Sequence, residues 1–292
     1  MKLTDNKNIF CSVSAGYSSV LMATKLQEWY PDHEILFAMA NTSKEHPKSL
    51  EFMNEAAKHF GIDLNWIEAE FHEKGTGVTY NVVDFEDLKR KGEIFEAGIK
   101  KLGIPNMDNK WCNRDMKVVP LKKFADDIFG RNNYSIAVGI RIDEMDRVSA
   151  AYKDNNVFYP LIENKIDVRE RNKFWKDQSV QIEIPAYKGN CTLCFEKSNR
   201  KLLTFMEEEP QEQIWWDEMI KKYGAKITEG KPAYNQVIKD YGTQTFYRKY
   251  RTIEDLIKLA EQPFSRATDE YIYENDLFDL EGECGSGCTV FR

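Results

Sequence analysis

Three groups of residues in this chain have the types and spacing to do chemistry. The first is the turn Ser14-Ala15-Gly16-Tyr17-Ser18-Ser19, which joins an apolar β-type run, Asn8 to Val13, to a helical pattern. A helix start leaves backbone N–H groups unpaired and carries partial positive charge, so small residues at that point let an anion approach the main chain. The turn supplies three serine hydroxyls and, in Gly16, a residue free to adopt positive φ. It lacks both the G-x-x-x-x-G-K-[ST] spacing of a Walker loop and the G-x-G-x-x-G of a dinucleotide fold.

The second group is basic. Arg114 and Lys117 lie in Trp111-Cys112-Asn113-Arg114-Asp115-Met116-Lys117, and Arg141 and Arg147 in Gly139-Ile140-Arg141-Ile142-Asp143-Glu144-Met145-Asp146-Arg147. An arginine fork takes two phosphate or sulfate oxygens and a lysine acts as a point charge, while the neighbouring carboxylates hold Mg²⁺ or orient the arginines. Asn41-Thr42-Ser43-Lys44-Glu45-His46-Pro47 adds amide, hydroxyl and charged groups suited to a ribose, a base edge or a phosphate. Without a ligand, the same residues make a capped helix, a solvated helix start and a salt-bridged loop.

The third group is Cys191-x-x-Cys194 with Cys284-x-x-x-Cys288. Two thiols three residues apart clamp a tetrahedral metal, and the second pair would complete a closed four-thiolate site tying the polar C-terminal tail to residue 190. Zinc is the first expectation, an iron–sulfur cluster the second and a redox dithiol the third. Cys11, inside the first strand, reads as an inert core thiol, and Cys112 stands alone beside Trp111.

The elements that must position these groups alternate. Apolar runs at Asn8–Val13, Glu34–Ala40, Leu64–Phe71 and Tyr134–Ile140 read as buried strands, and helical patterns follow at Ser18–Leu26, from Pro47, at Phe85–Leu102 and at Val118–Phe129. His72–Asp84, with Gly75 and Gly77, reads as a surface loop. This β-α-β order implies an α/β fold: a parallel twisted sheet with helices on both faces, whose ligands bind beyond the carboxyl ends of the strands. The character changes near residue 160, giving an expected nucleotide-binding α/β domain over 1–160 and a mainly helical region with the Cys-rich metal site over 161–292.

With 292 residues, the chain is long enough for a large core. Its 41 basic and 48 acidic residues leave a net charge of −7, which disfavours sequence-blind nucleic-acid binding but permits a local basic pocket. No stretch reaches bilayer-spanning length and the N-terminus has no signal-peptide apolar core, so a cytoplasmic protein without membrane contact is expected.

Several segments resemble the adenine-nucleotide alpha-hydrolase (PP-loop) superfamily, which includes N-type ATP pyrophosphatases and phosphoadenosine-phosphosulfate (PAPS) reductases. The Ser14–Ser19 turn is similar to its S-G-G-x-[DT]-S loop, with Ala15 for the first glycine and Ser18 for the acid or threonine. Cys112 with Lys117-Val118-Val119-Pro120-Leu121 resembles C-x-x-x-x-K-V-x-P-[LI], and Gly139 to Arg147 resembles G-x-R-x-x-[ES]-x-x-R. Gly189-Asn190-Cys191-Thr192-Leu193-Cys194-Phe195-Glu196-Lys197-Ser198 looks like the G-N-C-x-x-C-[FW]-x-K-S of phage and bacterial PAPS-reductase-like proteins, and the matches run in family order from Asn8 to Tyr223.

The resemblance implies an HUP-type fold that binds ATP or a PAPS-type adenine nucleotide, with Mg²⁺ as a further ligand. Ser14, Ala15, Gly16, Tyr17, Ser18, Ser19, Asn41, Thr42, Glu45 and Gly139 would bind the nucleotide, and Arg114, Lys117, Arg141 and Arg147 would neutralise charge during reaction. The expected reaction is attack at the α-phosphate with adenylyl transfer and pyrophosphate release to an acceptor that the sequence does not name; a tRNA or DNA acceptor would need a local basic groove. A thiol-dependent sulfonucleotide reductase using Cys112, Cys284 or Cys288 is the first alternative. A catalytically silent nucleotide-binding protein is the second, in keeping with the altered Ala15 and Ser18.

Overall fold

The computed structural model describes residues 7–73, 77–152 and 154–268. Six strands form one sheet: β1 (Asn8–Ser12), β2 (Glu34–Asn41), β3 (Leu64–Phe71), β4 (Val78–Val83), β5 (Ser135–Ala137) and β6 (Val157–Phe158), in the spatial order β4-β3-β2-β1-β5-β6. All neighbouring pairs are parallel except β3 with β4. The helices are α1 (Tyr17–Trp29), α2 (Pro47–Phe60), α3 (Glu93–Leu102), α4 (Val119–Phe129), α5 (Val168–Lys176), α6 (Asn199–Glu208), α7 (Glu212–Tyr223), α8 (Pro232–Tyr241) and α9 (Ile253–Ala260), with shorter turns between them. No helix among the described residues is long and apolar enough to cross a membrane.

The uninterrupted apolar strands are explained by burial on both sides. Ile9, Cys11, Phe37, Met39 and Trp66 pack with Leu21, Leu50 and Phe52 of α1 and α2. Their alternating neighbours Phe10, Ala38, Ala40 and Ile67 pack with Leu121 and Phe124 of α4. Successive side chains of a strand point to opposite faces, so a strand covered twice has no polar position to spare. A third cluster gathers α3, α6, α7 and α9 with the Cys191–Phe195 turn.

Three expectations about elements change. Within His72–Asp84, residues 78–83 form the antiparallel edge strand β4, paired from Phe71↔Val78 to Trp66↔Val83. Its alternation is half-exposed, which masked it beside the glycines. Phe85–Leu102 is not one helix: α3 starts only at Glu93, after Gly92 at φ 93°, where a Cβ would fall 2.3 Å from Trp215. Of the run Tyr134–Ile140 only Ser135–Ala137 is strand; Val138 still donates to the Phe158 carbonyl at 3.1 Å, and Val138–Ile140 continue as loop into the site.

Candidate functional site

The phosphate-type turn lies at the carboxyl edge of the sheet, between β1 and α1. Gly16 is the N-cap residue of α1: no side chain caps the helix, and the Gly16 carbonyl accepts from the Ser19 and Val20 N–H groups at 3.0 and 3.1 Å. Its backbone is extended (φ −121°, ψ 147°), so the freedom of Gly16 to adopt positive φ is not used here. What the missing side chain provides is room, because a Cβ there would meet only Ser14 Oγ at 3.8 Å. Gly139 is needed sterically: a Cβ would stand 3.2 Å from Ser19 Cα, so the β5 loop could not lie so close to α1.

The three hydroxyls have different work. Ser19 Oγ accepts from Ser14 N–H at 2.9 Å and so shapes the turn from within. Ser18 Oγ accepts from Arg141 Nη1 at 2.9 Å. Ser14 is exposed on the loop. From the far side, the Trp175 indole stacks on Tyr17 (4.5 Å between centroids) and donates to the Tyr17 carbonyl at 3.0 Å. Tyr17 Oη in turn donates to Gln181 at 2.8 Å.

This turn lines a cavity of about 270 Å³, together with Glu45, Lys117, Gly139, Arg147 and Arg171. Arg141 sits beside it, held by Asp143 through Nε (3.0 Å) and Nη2 (2.9 Å). Glu144 bridges Arg141, at 3.2 Å, and Arg147. The carboxylates of this loop therefore orient arginines. Lys117 Nζ stands 3.8 Å from Glu45 Oε1, and both side chains are largely buried. Glu45 also accepts from Thr42 N–H at 2.9 Å and Thr42 Oγ1 at 2.8 Å. Glu45 and Glu144 are the carboxylates that line the cavity, and both are thus engaged.

Two expected ligand residues have other work. Asn41 is fully buried and donates from Nδ2 to Glu68 (2.8 Å) and to the Lys89 carbonyl (2.8 Å), while its Oδ1 caps Ser43 N–H. Thr42, also fully buried, ties Glu45 to the cysteine turn, its Oγ1 lying 3.3 Å from Cys191 Sγ. Arg114 is not at the first cavity either. Its side chain is bound by Asp115 through Nε (3.0 Å) and Nη2 (2.7 Å), which holds the guanidinium charged, and it lines a second cavity.

That second cavity, about 240 Å³, adjoins the first through Lys117, which lines both. Its wall brings together Cys112, Cys191 and Cys194 with Phe95, Met116 and Trp216. The cysteine turn reaches it by pairing with the loop after β2: Glu45 bridges to Cys191, and Thr192 N–H donates to the Lys44 carbonyl at 2.8 Å. The Cys112 segment is set by Trp111, whose ring lies against Gly98 of α3 and whose Nε1 donates to the Gly103 carbonyl at 2.9 Å. Cys11, by contrast, is fully buried in the sheet, and burial pushes its thiol pKa well up, so it is inert.

For the expected metal site, Cys284 and Cys288 lie outside the described residues. Three thiols on one wall are a soft donor set. Even so, among the described residues no three His, Cys, Asp or Glu side chains are grouped to hold a metal ion, so no step is routed through one.

Two further residues line the first cavity without a motif to mark them. Arg171 is a buried arginine on α5, reaching the first cavity one helical turn before Trp175. Its signal was an arginine in register with the apolar stripe rather than on the charged face. Ser49, 1 % exposed, lines the same cavity with an Oγ that has no hydrogen-bond partner among the described residues.

No family model matches the chain. Its sequence is similar to an uncharacterized nin region protein, ORF290, of Escherichia phage lambda, 25% identical over 285 residues that span 96% of this chain and 94% of that one. Two uncharacterized proteins of Methanocaldococcus jannaschii are 25% and 22% identical over 237 and 235 residues, and the chain spans 50% and 43% of their lengths. Among solved structures, it is similar to the U34-tRNA thiolase NcsA from Methanococcus maripaludis with its [4Fe-4S] cluster. The identity is 15% and the TM-score 0.38, over 99% of this chain and 82% of that one, a likeness too slight to carry an argument about the site.

Proposed function

We propose that this chain is a PP-loop enzyme that binds ATP or a related adenine nucleotide in the first cavity and transfers the adenylyl group to an acceptor. The observation that carries the reading is the uncapped start of α1, opened by Gly16 and ringed by Lys117, Arg147 and Arg171. A helix start without a side-chain cap and cations lining one small cavity suit the triphosphate tail. In the reaction, an acceptor oxygen bonds to the α-phosphorus while the bond from that phosphorus to the bridging oxygen breaks, and pyrophosphate leaves with the electron pair. Preorganised cations stabilise the charge that grows on the leaving group.

Magnesium would have no free protein carboxylate among those lining the cavity, since Glu45 and Glu144 are engaged. Charge neutralisation therefore falls to Lys117, Arg147 and Arg171, and a magnesium ion would ride on the phosphates themselves. Incubation with α-labelled ATP tests the reading: pyrophosphate and an adenylylated product or AMP support it. Tight nucleotide binding without turnover would instead favour a silent binding protein.

A second reading draws on the three thiols lining the cavity that shares Lys117 with the first. In a sulfonucleotide reductase, a thiolate attacks the sulfonate sulfur, the sulfur–oxygen bond to phosphate breaks, and a second thiol releases sulfite as a disulfide forms. Sulfite released from PAPS, with the protein thiols oxidised, separates this reading from the first. Zinc or an iron–sulfur cluster on Cys191 and Cys194, with Cys284 and Cys288, also stands as a proposal, which metal analysis of the purified chain tests.

A further inference from the structure

We infer that the edge strand β4 is a self-association surface, on which two copies of this chain pair β4 with β4, antiparallel, across a twofold axis. One side of the β4 backbone bonds to β3, and among the described residues no strand pairs with the other side. Edge strands are ordinarily guarded against such pairing by charged side chains, proline, bulges or a covering element. Val78–Val83 reads Val-Thr-Tyr-Asn-Val-Val, with neither a charge nor a proline, and it matches β3 residue for residue without a bulge. Its β-branched and aromatic side chains favour an extended, paired backbone.

The apolar face beside the edge points the same way. Tyr80 packs edge to face on Phe124 of α4, 5.6 Å between centroids. Lys123 Nζ donates to the Val78 carbonyl at 2.7 Å, and Tyr80 Oη donates to Asp127 at 2.6 Å, so α4 and β4 run in the same direction. One step further along each lie Val82, on the same strand face as Tyr80, and Ile128, one helical turn after Phe124. They are 52 % and 55 % exposed, an apolar corner at the open edge.

Register follows from strand faces and from charge. Directly opposed residues of an antiparallel pair share a face, so in a strand paired with its own copy an even-numbered residue meets an even-numbered one. With Asn81 on the axis, Tyr80 meets Val82 of the second copy twice over, an aromatic against a β-branched side chain, and Thr79 meets Val83. The same register sets the exposed Asp84 opposite Val78, whose carbonyl holds the Lys123 ammonium. Gly77, next along, holds that of Lys101 through its carbonyl at 2.9 Å. Each end of the paired strands thus brings a carboxylate to two lysines. An axis at Tyr80 would set Asp84 beyond Gly77 and oppose Tyr80 to itself. The chain carries acid at one end of β4 and lysines at the other, so the antiparallel partner that matches it is a second copy. No residue of β4 lines either large cavity, and the inference does not depend on the nucleotide reading.

Sedimentation velocity of the full chain over a dilution series tests this. A monomer–dimer equilibrium with a dissociation constant at or below about 100 µM is expected. Val82→Lys, at an exposed side chain, is expected to raise that constant about tenfold or more, as are Asp84→Lys and Lys123→Glu singly. Combining Asp84→Lys with Lys123→Glu restores opposite charges and is expected to return it to within about threefold of the original. Melting curves at the lowest concentration check that each variant is folded. A chain that stays monomeric to about 100 µM overturns the inference. So does a dimer that neither Val82→Lys nor the charge swap alters, which would place the contact elsewhere. A monomer whose β4 amides resist hydrogen exchange at every dilution also overturns it, because another part of the same chain would then cover the edge.

Discussion

Arg141 donates from Nη1 to Ser18 Oγ at 2.9 Å, which ties the arginine after β5 to the first turn of α1 across 123 residues of sequence. The hydroxyl at position 18 thereby positions a cation. A hydrogen bond from a charged donor contributes about 1.5–3 kcal/mol where it is shielded from water. Ser18→Ala is expected to lower kcat/KM for nucleotide turnover about tenfold, while Ser18→Thr, which keeps the hydroxyl, stays within about threefold. Pyrophosphate release is the readout.

Arg171 gives a second expectation. Its guanidinium is buried beside the first cavity, and its Nε and Nη2 both donate to Asn172 Oδ1, at 3.0 and 2.6 Å. Arg171→Gln is expected to weaken ATP binding by about tenfold or more, with Arg171→Lys intermediate because a point charge lacks the fork. Calorimetric titration of the two variants measures it.

Ser49→Ala separates ligand binding from stability. The hydroxyl is buried without a partner among the described residues, so its removal is expected to leave the unliganded protein equally or more stable, by up to about 1 kcal/mol. If the hydroxyl serves the ligand, nucleotide affinity falls in the same variant. A denaturant melt that shows a loss of stability would overturn the assignment.

His46 makes stability depend on pH. It caps α2, its Nδ1 accepting from Lys48 N–H at 3.2 Å, a role that requires an unprotonated nitrogen. Burial is the largest influence and lowers its pKa below the ordinary 6.5, outweighing the upward pull of Glu209. The unfolded chain therefore takes up a proton more readily than the folded one. The stability His46 contributes is complete above pH 6.5 and is lost as pH falls through the lower folded value. Melting temperature is expected to rise between about pH 5 and about pH 7.5, and the slope to shrink in His46→Asn, which keeps a capping oxygen.

Gly98→Ala tests the seat of the Cys112 segment. A Cβ there would fall 2.2 Å from the Trp111 ring and 2.9 Å from Phe71, and the Trp111 hydrogen bond to Gly103 keeps the ring from sliding away. Overpacking of this kind costs about 1–3 kcal/mol. Chemical denaturation is expected to show that loss, together with faster alkylation of Cys112, read by mass spectrometry.

Much of this arrangement is legible in the sequence because it rests on period and punctuation. The two-sided strands, the α1 start and the helix at Pro47 all follow from continuous apolar runs ending in small or capping residues. Ser14–Ser19, Lys117, Gly139 and Arg147 were found as cavity residues because they sit at strand or helix ends. Asn41 and Thr42 sit at a strand end as well, yet their side chains turn inward to Glu68 and Glu45, and no local pattern distinguishes an inward amide from an outward one. Arg114 lines the second cavity while Lys117, three residues on, borders both, a division that residue spacing alone does not reveal. Arg171 and the meeting of Cys112 with the Cys191 turn depend on long-range packing, which spacing along the chain does not encode.

The clasp of Trp175 on Tyr17 has a consequence for biosynthesis. During synthesis the Ser14–Ser19 bend is made first, yet its shape is braced by an indole translated 158 residues later. A nascent chain halted after the sixth strand would hold every strand of the sheet but lack the brace on that bend. The bend is thus completed only when α5, more than halfway along the chain, has docked.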